Sequence, residues 1–261
     1  MTLIRHELKQ SRISWIVWTL SIVAFVVVCI VFYPSMKKEM DTVSEMFASM
    51  GSFTAAFGMD KVSFGTLTGF YVVECGNIVG LGGAFFSALC GISLLAKEEK
   101  DHTAEFLMTH PIRRFSVVTS KLVAMLIQIV VLNAVVYASS LISIAAIGES
   151  IPWKELTLLH LAYLCLQIEI GAVCFGISAF LRRSGMGIGM GIAMLFYFLN
   201  LVANITEQAD FLKYVTPFGY AEGADIVNSL SINGEMLAIG AGFTLFGIVI
   251  AYITYCKKDL R

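Results

Sequence analysis

Six long runs of apolar residues constrain the fold of this chain more than any other feature of its sequence. Each run approaches or exceeds the roughly 20 apolar residues that a helix needs to cross a bilayer. Only 14% of the 261 residues are charged, whereas a soluble domain carries about 25%. We therefore expect an all-α, polytopic membrane protein that forms a single domain over residues 1–261. The predicted spans are residues 14–33, 70–96, 122–147, 156–181, 186–205 and 236–255.

Two further elements are expected outside the spans. Residues 1–13 have an apolar side and a basic side, which predicts an interfacial helix along the inner membrane surface. Pro34 is expected to end the first span, because proline disrupts helix interiors. Residues 207–235 alternate aromatic residues with Gly, Pro and acids, and they are too polar to span a membrane. They predict either short re-entrant helices between spans 5 and 6, shielded by protein, or an ordinary outer loop.

The distribution of positive charge predicts the orientation. An even number of spans places both termini on one side. Thirteen of the 18 Lys and Arg residues lie on that side, in the two termini, the stretch 97–121 and the turn at 182–183. Cytoplasmic loops carry an excess of Lys and Arg. We therefore expect a multi-pass protein of a bacterial-type cell membrane, in contact with lipid, with both termini in the cytoplasm.

The most polar stretch, residues 97–121, separates the second and third spans. Thr109, His110 and Pro111 interrupt it, because proline disfavours helical geometry before it and suits a helix start after it. A helix, a break and a second helix between two spans are shaped for docking into a partner. The alternative is an amphipathic element that touches lipid headgroups. The acids at its start, such as Glu98 and Glu99, disfavour that alternative because anionic headgroups would repel them.

Several kinds of chemistry find no support in the sequence. It contains no G-x-x-x-x-G-K-[ST], no G-x-S-x-G and no H-E-x-x-H. Neither catalysis nor nucleotide binding is therefore expected within this chain, and nothing indicates a resident cofactor or nucleic-acid binding. Glu98, His102 and Glu105 share one helix face, but one histidine with two carboxylates is more typical of a solvated face than of a metal site.

Among the polar residues within the predicted spans, where charge is costly, three are candidates for a functional role. Glu169 and Asn133 lie about 20 Å and about 18 Å along their helices from the inner ends, on consecutive spans. We expect the Asn133 amide to bond the Glu169 carboxyl, either as a structural link between helices or as part of a substrate path. Glu74 lies about 35 Å from the inner end, at the outer rim near Asn77.

Four glycines open the fifth span and form two overlapping G-x-x-x-G frames. They are Gly185, Gly187, Gly189 and Gly191. Small residues at this spacing let helices approach closely. The spacing predicts tight packing, either within the chain or against a second copy.

The stretch between spans 2 and 3 resembles that of the permease subunits of ABC exporters, in the six-span type V class related to drug, lantibiotic and peptide exporters. Those chains show E-x-x-x-G-T-x-E-x-L-L-x-x-P-[IV]-x-R there. The matching residues are Glu99, Thr103, Glu105, Leu107, Pro111, Ile112 and Arg114. His102 replaces the usual Gly, and Met108 replaces a Leu.

The resemblance implies a dimer of two permease copies, commonly paired through spans 1 and 5, that moves amphipathic peptides or hydrophobic antimicrobial compounds out of the cell. It also implies two copies of a separate ATPase subunit, which would hold ATP and Mg²⁺. The residues expected to couple to that ATPase are Glu98, Glu99, Thr103, Glu105, Phe106, Leu107, Pro111, Arg113 and Arg114. The alternatives are an ABC-linked ion exporter and a membrane sensor or scaffold that holds an ATPase without transport.

Overall fold

The fold consists of helices throughout the part of the chain that the structure describes. That part of the computed structural model covers residues 2–37, 51–97, 113–183 and 185–258. Six of its helices are long and apolar enough to cross a membrane, which confirms the all-α, six-span prediction. Spans 1 to 6 are Leu3–Met36, Leu67–Leu94, Arg114–Ala146, Trp153–Ser178, Met186–Ile205 and Gly234–Lys257.

Short helices lie between the spans at the end of the bundle opposite the two termini, which we call the outer end. One helix, Ser52–Ala56, precedes span 2. Three more follow span 5: a 3₁₀ helix Glu207–Tyr214 and two α-helices, Pro217–Tyr220 and Gly223–Ser229. We call residues 206–233 the outer segment. Thr216 caps the helix that begins at Pro217, where the proline's missing N–H costs nothing.

Span 1 differs from its prediction at both ends. The helix is continuous from Thr2 to Met36, so no break separates residues 1–13 from the span. Pro34 lies inside the last turn instead of ending the helix, which stops two residues later, so the disruption by proline is confined to the end of the helix. The first turns pack along span 3, through contacts described below. A location of residues 1–13 along the membrane surface stays a prediction.

Span 4 forms the centre of the bundle, because glycines let its neighbours approach its backbone. On span 2, a Cβ at Gly91 would collide with the carbonyl oxygen of Gly171. On span 6, a Cβ at Gly247 would lie 2.5 Å from the carbonyl oxygen of Ala172. Backbones this close make extensive van der Waals contacts, and such packing drives the association of helices in lipid. In the most apolar 18-residue stretch of span 4, 67% of the residues are buried within the chain.

The outer half of span 2 is wound as a π-helix, which the sequence analysis did not predict. Two π-helical segments, Tyr71–Gly76 and Ile78–Gly82, follow each other between α-helical ends. The wider turn brings the backbone against span 4. A side chain at Gly76 would collide with the Tyr163 hydroxyl. Such segments are rare and frequently mark functional sites.

Spans 4 and 6 run parallel, and the outer segment reaches far along them. Gly240 of span 6 lies beside Glu169 of span 4. The Tyr220 hydroxyl of the outer segment donates a hydrogen bond to the same carboxyl. Glu169 is sixteen residues, or about 24 Å of helix, from the first residue of span 4. The outer segment therefore packs between the helices well below the outer end of span 4.

Candidate functional site

Most of the predicted ATPase-coupling residues lie outside the described part of the chain. These are Glu98, Glu99, Thr103, Glu105, Phe106, Leu107 and Pro111. Their role stays a prediction. Arg113 and Arg114, which follow them, are described, and so are the helix ends that surround them.

Arg114 ties the end of the coupling stretch to the end of span 6. Arg113 has an extended backbone and is exposed, and the helix of span 3 begins at Arg114. The Arg114 guanidinium donates hydrogen bonds to the carbonyl oxygens of Cys256, at 3.3 Å, and Lys258, at 2.5 Å. Carbonyl groups at a helix C-terminus lack intrahelical partners and carry partial negative charge, so a cation stabilises them.

A second contact extends this junction to span 4. The Lys258 ammonium donates a hydrogen bond to the carbonyl oxygen of Leu181, at 2.9 Å. Leu181 lies three residues after the end of span 4. The start of span 3, the end of span 6 and the end of span 4 are therefore joined at one point. We call this arrangement of Arg114, Lys258 and their carbonyl partners the inner clamp.

A buried ion pair links span 1 to span 3 about two turns above the inner clamp. The Lys121 ammonium lies 2.9 Å from the Glu7 carboxylate, and their side chains are 0% and 5% exposed. The sequence analysis placed Lys121 at the end of a polar loop, but the helix begins at Arg114 and buries it. Further along the same interface, Ser11 and Trp15 contact Gln128.

The predicted bond between Asn133 and Glu169 is wrong. The Asn133 amide donates instead to the side-chain oxygen of Gln167, at 2.7 Å, and to the carbonyl of Ile129. Gln167 in turn donates to the carbonyl of Val79 in the π-helical stretch. Side chains two positions apart along an α-helix, such as those of Gln167 and Glu169, point in directions about 200° apart. Gln167 therefore faces spans 2 and 3, while Glu169 faces the opposite side, toward span 6.

Glu169 is 3% exposed and connects three parts of the chain. Its carboxylate accepts the hydrogen bond from Tyr220, at 2.9 Å, and lies against Gly240. The hydrogen bond stabilises this buried carboxylate, and the absence of a side chain at Gly240 leaves the space that it occupies. Glu74, the third predicted intramembrane residue, is half-buried in the π-helical stretch, three residues before Asn77.

The two glycine frames of span 5 have different surroundings. Side chains at Gly185 and Gly189 would collide with Ile92 of span 2, so this frame packs within the chain. At Gly187 and Gly191, no atom of the described residues lies within 4 Å of an added Cβ. The second frame therefore faces outward, among exposed apolar side chains such as Met190 and Met194.

A group of polar side chains at the outer end was missed by the sequence analysis. The amides of Asn200 and Asn204, near the end of span 5, both donate to the Glu222 carboxylate at 2.9 Å. The Tyr197 hydroxyl donates to the side-chain oxygen of Asn77, at 3.3 Å. The spacing of Asn200 and Asn204 places both on one face of span 5, because residues four apart on a helix share a face. Nothing in the sequence, however, indicates that this face meets Glu222.

Comparison with known protein families gives a match over nearly the whole chain. The family described as "ABC-2 family transporter protein" matches residues 1–260. The chain is also similar to the uncharacterized protein YhcI of Bacillus subtilis (strain 168). The two are 23% identical over 215 residues, which cover 73% of this chain and 68% of that relative. The family match agrees with the six spans and identifies a membrane component of a transporter.

Proposed function

Because the chain belongs to the ABC-2 family of transporter proteins, we propose that it is the membrane-spanning subunit of an ATP-driven exporter. Two copies of the chain pair in the cell membrane with both termini in the cytoplasm. Each copy binds a separate ATPase subunit, which holds ATP and Mg²⁺, through residues 97–121. The cargo is an amphipathic peptide or a hydrophobic antimicrobial compound.

The inner clamp is the observation that carries this proposal. Force applied to the coupling stretch reaches span 3 directly, because its helix begins at Arg114. From there, the guanidinium bonds to the end of span 6, and Lys258 passes the contact to the end of span 4. The Lys121–Glu7 pair adds span 1 to the same body. A partner that moves residues 97–121 would thus move four of the six spans.

The open glycine frame of span 5 supports pairing of two copies. Gly187 and Gly191 expose backbone on the lipid-facing side, and lipid chains pack less closely against such a groove than another helix does. The family resemblance implies pairing through spans 1 and 5, and span 1 also exposes large apolar side chains, including Phe25 and Phe32. Replacing both Gly187 and Gly191 by Ile should lower the dimer fraction in detergent, while monomer stability is retained.

Transport is tested with the permease and its ATPase reconstituted in vesicles. We expect ATP-dependent accumulation of a fluorescent amphipathic peptide in vesicles whose ATPase faces outward. An ATPase variant without its Walker lysine should abolish it. The substitution Glu105→Lys should uncouple hydrolysis from transport or prevent capture of the ATPase. Glu235→Lys, an equal change of charge at an exposed outer position, serves as the control.

The outcomes separate the alternatives. If the ATPase co-purifies and hydrolyses ATP but no peptide moves, the scaffold interpretation replaces export. If vesicles accumulate Na⁺ or K⁺ instead of peptide, the chain serves an ion exporter. If Glu105→Lys leaves both capture and transport intact, the docking role of that face is wrong.

A further inference from the structure

A small cavity lies at the outer end of the bundle, between span 2, span 4, span 5 and the outer segment. Its volume is about 40 Å³. One water molecule needs at least roughly 10–15 Å³ measured in this way, so the cavity holds two or three water-sized groups and excludes a peptide. Oxygen-bearing side chains among its lining residues are Asn77, Tyr163, Tyr197, Asn200 and Glu222.

One of these side chains is buried with an unused acceptor. Asn200 is 5% exposed, and its amide nitrogen is committed to Glu222. Its side-chain oxygen has no hydrogen-bond partner among the described residues. The side-chain oxygen of Asn204, which bonds the same carboxylate, is likewise buried and unpaired there. A buried acceptor without a partner costs about 1–3 kcal/mol, so a ligand that supplies positive charge or donors is favoured beside it.

The cavity also carries negative charge, on the Glu222 carboxylate. Among the described residues, none of those that line it is a lysine, arginine or histidine. Lys61, whose charge acts on Glu222, forms its ion pair with Asp225 instead, at 2.9 Å. Burial raises the pKa of the Glu222 carboxyl, although the amides of Asn204 and Asn200 oppose this effect. Among the described residues, the carboxylate is thus stabilised mainly by two amide dipoles, with a smaller contribution from the charge of Lys61.

We propose that this cavity is a binding site for one small monovalent cation, held by the Glu222 carboxylate, the Asn200 side-chain oxygen and neighbouring oxygens. Carboxylate, carbonyl and hydroxyl oxygens suit hard cations. A single carboxylate matches a single charge, whereas Ca²⁺ takes roughly six to eight oxygen ligands and Mg²⁺ keeps several waters, for which this cavity is too small. The volume accommodates Na⁺ or K⁺ with a remaining water.

Occupancy of this site would fasten the outer segment to span 5. Glu222 lies between two short helices of the outer segment, while Asn200 and Asn204 belong to span 5. The cation therefore bridges elements that the chain otherwise joins there by amide hydrogen bonds. This inference concerns the permease by itself and does not depend on the identity of the exported compound or on ATP.

The purified full-length chain in detergent provides the test. Thermal unfolding is compared in NaCl, in KCl and in N-methylglucamine chloride at equal ionic strength, together with equilibrium binding of radioactive Na⁺. We expect Na⁺ or K⁺ to raise the unfolding midpoint by about 2–4 °C over the bulky cation. We also expect one ion bound per chain.

Three variants keep the result specific. Glu222→Gln should abolish both the shift and the ion binding, whereas Glu235→Gln, which removes an exposed outer acid, should retain both. Asn200→Asp adds a second carboxylate and should bind Na⁺ several-fold more tightly than the wild type. This variant gives a result even if Glu222→Gln does not fold.

Three results would overturn the proposal. One is an unfolding midpoint of the wild type that is equal in all three salts, which is the behaviour of a cavity filled by water alone. The second is a cation response that survives Glu222→Gln. The third is Na⁺ affinity that Asn200→Asp leaves unchanged or weakens.

Discussion

The inner and outer ends of the bundle are held together by different kinds of contact. At the inner end, full charges meet partners directly, in the Lys121–Glu7 pair and in the inner clamp. At the outer end, two carboxylates that hold the outer segment bond to neutral groups: Glu169 to Tyr220, and Glu222 to two amides. All of these bonds have one ionised partner and are therefore charge-assisted. Among the contacts compared, the Lys121–Glu7 pair alone joins two buried full charges, so removal of one partner there leaves an uncompensated buried charge.

This difference assigns different mechanical roles to the two ends. An inner end joined by one buried ion pair and by bonds to backbone carbonyls is expected to move as one body, as the proposed coupling to an ATPase requires. The outer segment consists of helices of four to eight residues, too short to be stable without their neighbours. Its position depends on buried apolar side chains such as Phe218 and Ile226, on the exposed Lys61–Asp225 ion pair and on a few hydrogen bonds that can break singly. The predictions below test this contrast, from the largest expected effect to the smallest.

Removal of Lys121 should have the largest effect on stability. In Lys121→Met, the Glu7 carboxylate stays buried without its ion pair, which costs about 3–5 kcal/mol. The double variant Glu7→Gln with Lys121→Met removes both charges and should recover most of that loss. Thermal unfolding in detergent measures all three proteins. Equal destabilisation of the single and double variants would show that the pair does not carry the inner interface.

Removal of the Tyr220 hydroxyl should have the next largest effect. In Tyr220→Phe, Glu169 loses its hydrogen bond in a buried site, which costs about 1–3 kcal/mol. Tyr214→Phe, at an exposed position of the same outer segment, should cost little. Hydrogen exchange by mass spectrometry should show faster exchange confined to residues 206–233. Faster exchange at the inner ends of the spans would instead mean that the two ends are not independent.

A companion variant addresses the substrate path. Glu169→Gln keeps a hydrogen-bond acceptor for Tyr220 and removes the charge. If Glu169 faces the cargo, this variant should assemble normally and lose transport of the fluorescent peptide. Normal transport would limit Glu169 to joining span 4, span 6 and the outer segment.

The number and approximate bounds of the spans could be predicted from sequence because hydropathy depends on each residue by itself. The neighbouring helix toward which each polar side chain points could not be predicted. Depth along a helix follows from counting residues, and on that basis Asn133 and Glu169 lie near the same level. Which side of span 4 meets span 3 depends on packing of the whole bundle, and there Gln167 occupies the place expected for Glu169.

The outer polar group shows a second limit of sequence analysis. The π-helical winding of span 2 changes the rotation per residue, so positions counted on a 3.6-residue period point in other directions. Asn200 and Glu222 meet only because the outer segment folds back on span 5. The glycine frames give the opposite case, since their spacing predicted close packing. In the structure, the frame of Gly185 and Gly189 packs against span 2, and the frame of Gly187 and Gly191 is left open.

Loss of Arg114 should have a smaller effect, which separates the inner clamp from docking. Arg114→Ala should destabilise the permease by about 1 kcal/mol, because charge-assisted bonds to two carbonyls are lost from a partly exposed site. Arg113→Ala, at an exposed neighbour, should leave the stability unchanged and weaken only ATPase capture. Unfolding of the permease alone and co-purification with the ATPase provide the two readouts. Equal effects of both variants on stability would contradict the clamp.

The smallest expected effect is the pH dependence that Glu222 contributes to the outer end. Burial raises its pKa above the ordinary value of 4.5, so the folded state favours the protonated form. Stability from this group is therefore present below that ordinary value and is lost as the pH rises through the raised pKa. The charged groups nearby are Asp60, Lys61 and Asp225.

Thermal unfolding in N-methylglucamine chloride, from about pH 4.5 to about pH 8, measures this loss against Glu222→Gln. We expect the wild type to lose up to about 1 kcal/mol relative to the variant, since Glu222 is half-buried and partly screened. Added Na⁺ should reduce the difference, because a bound cation stabilises the ionised carboxylate. A wild type that gains stability over the variant as the pH rises without small cations would show that the two amides compensate the charge by themselves. The outer end would then need no ion to hold its short helices in place.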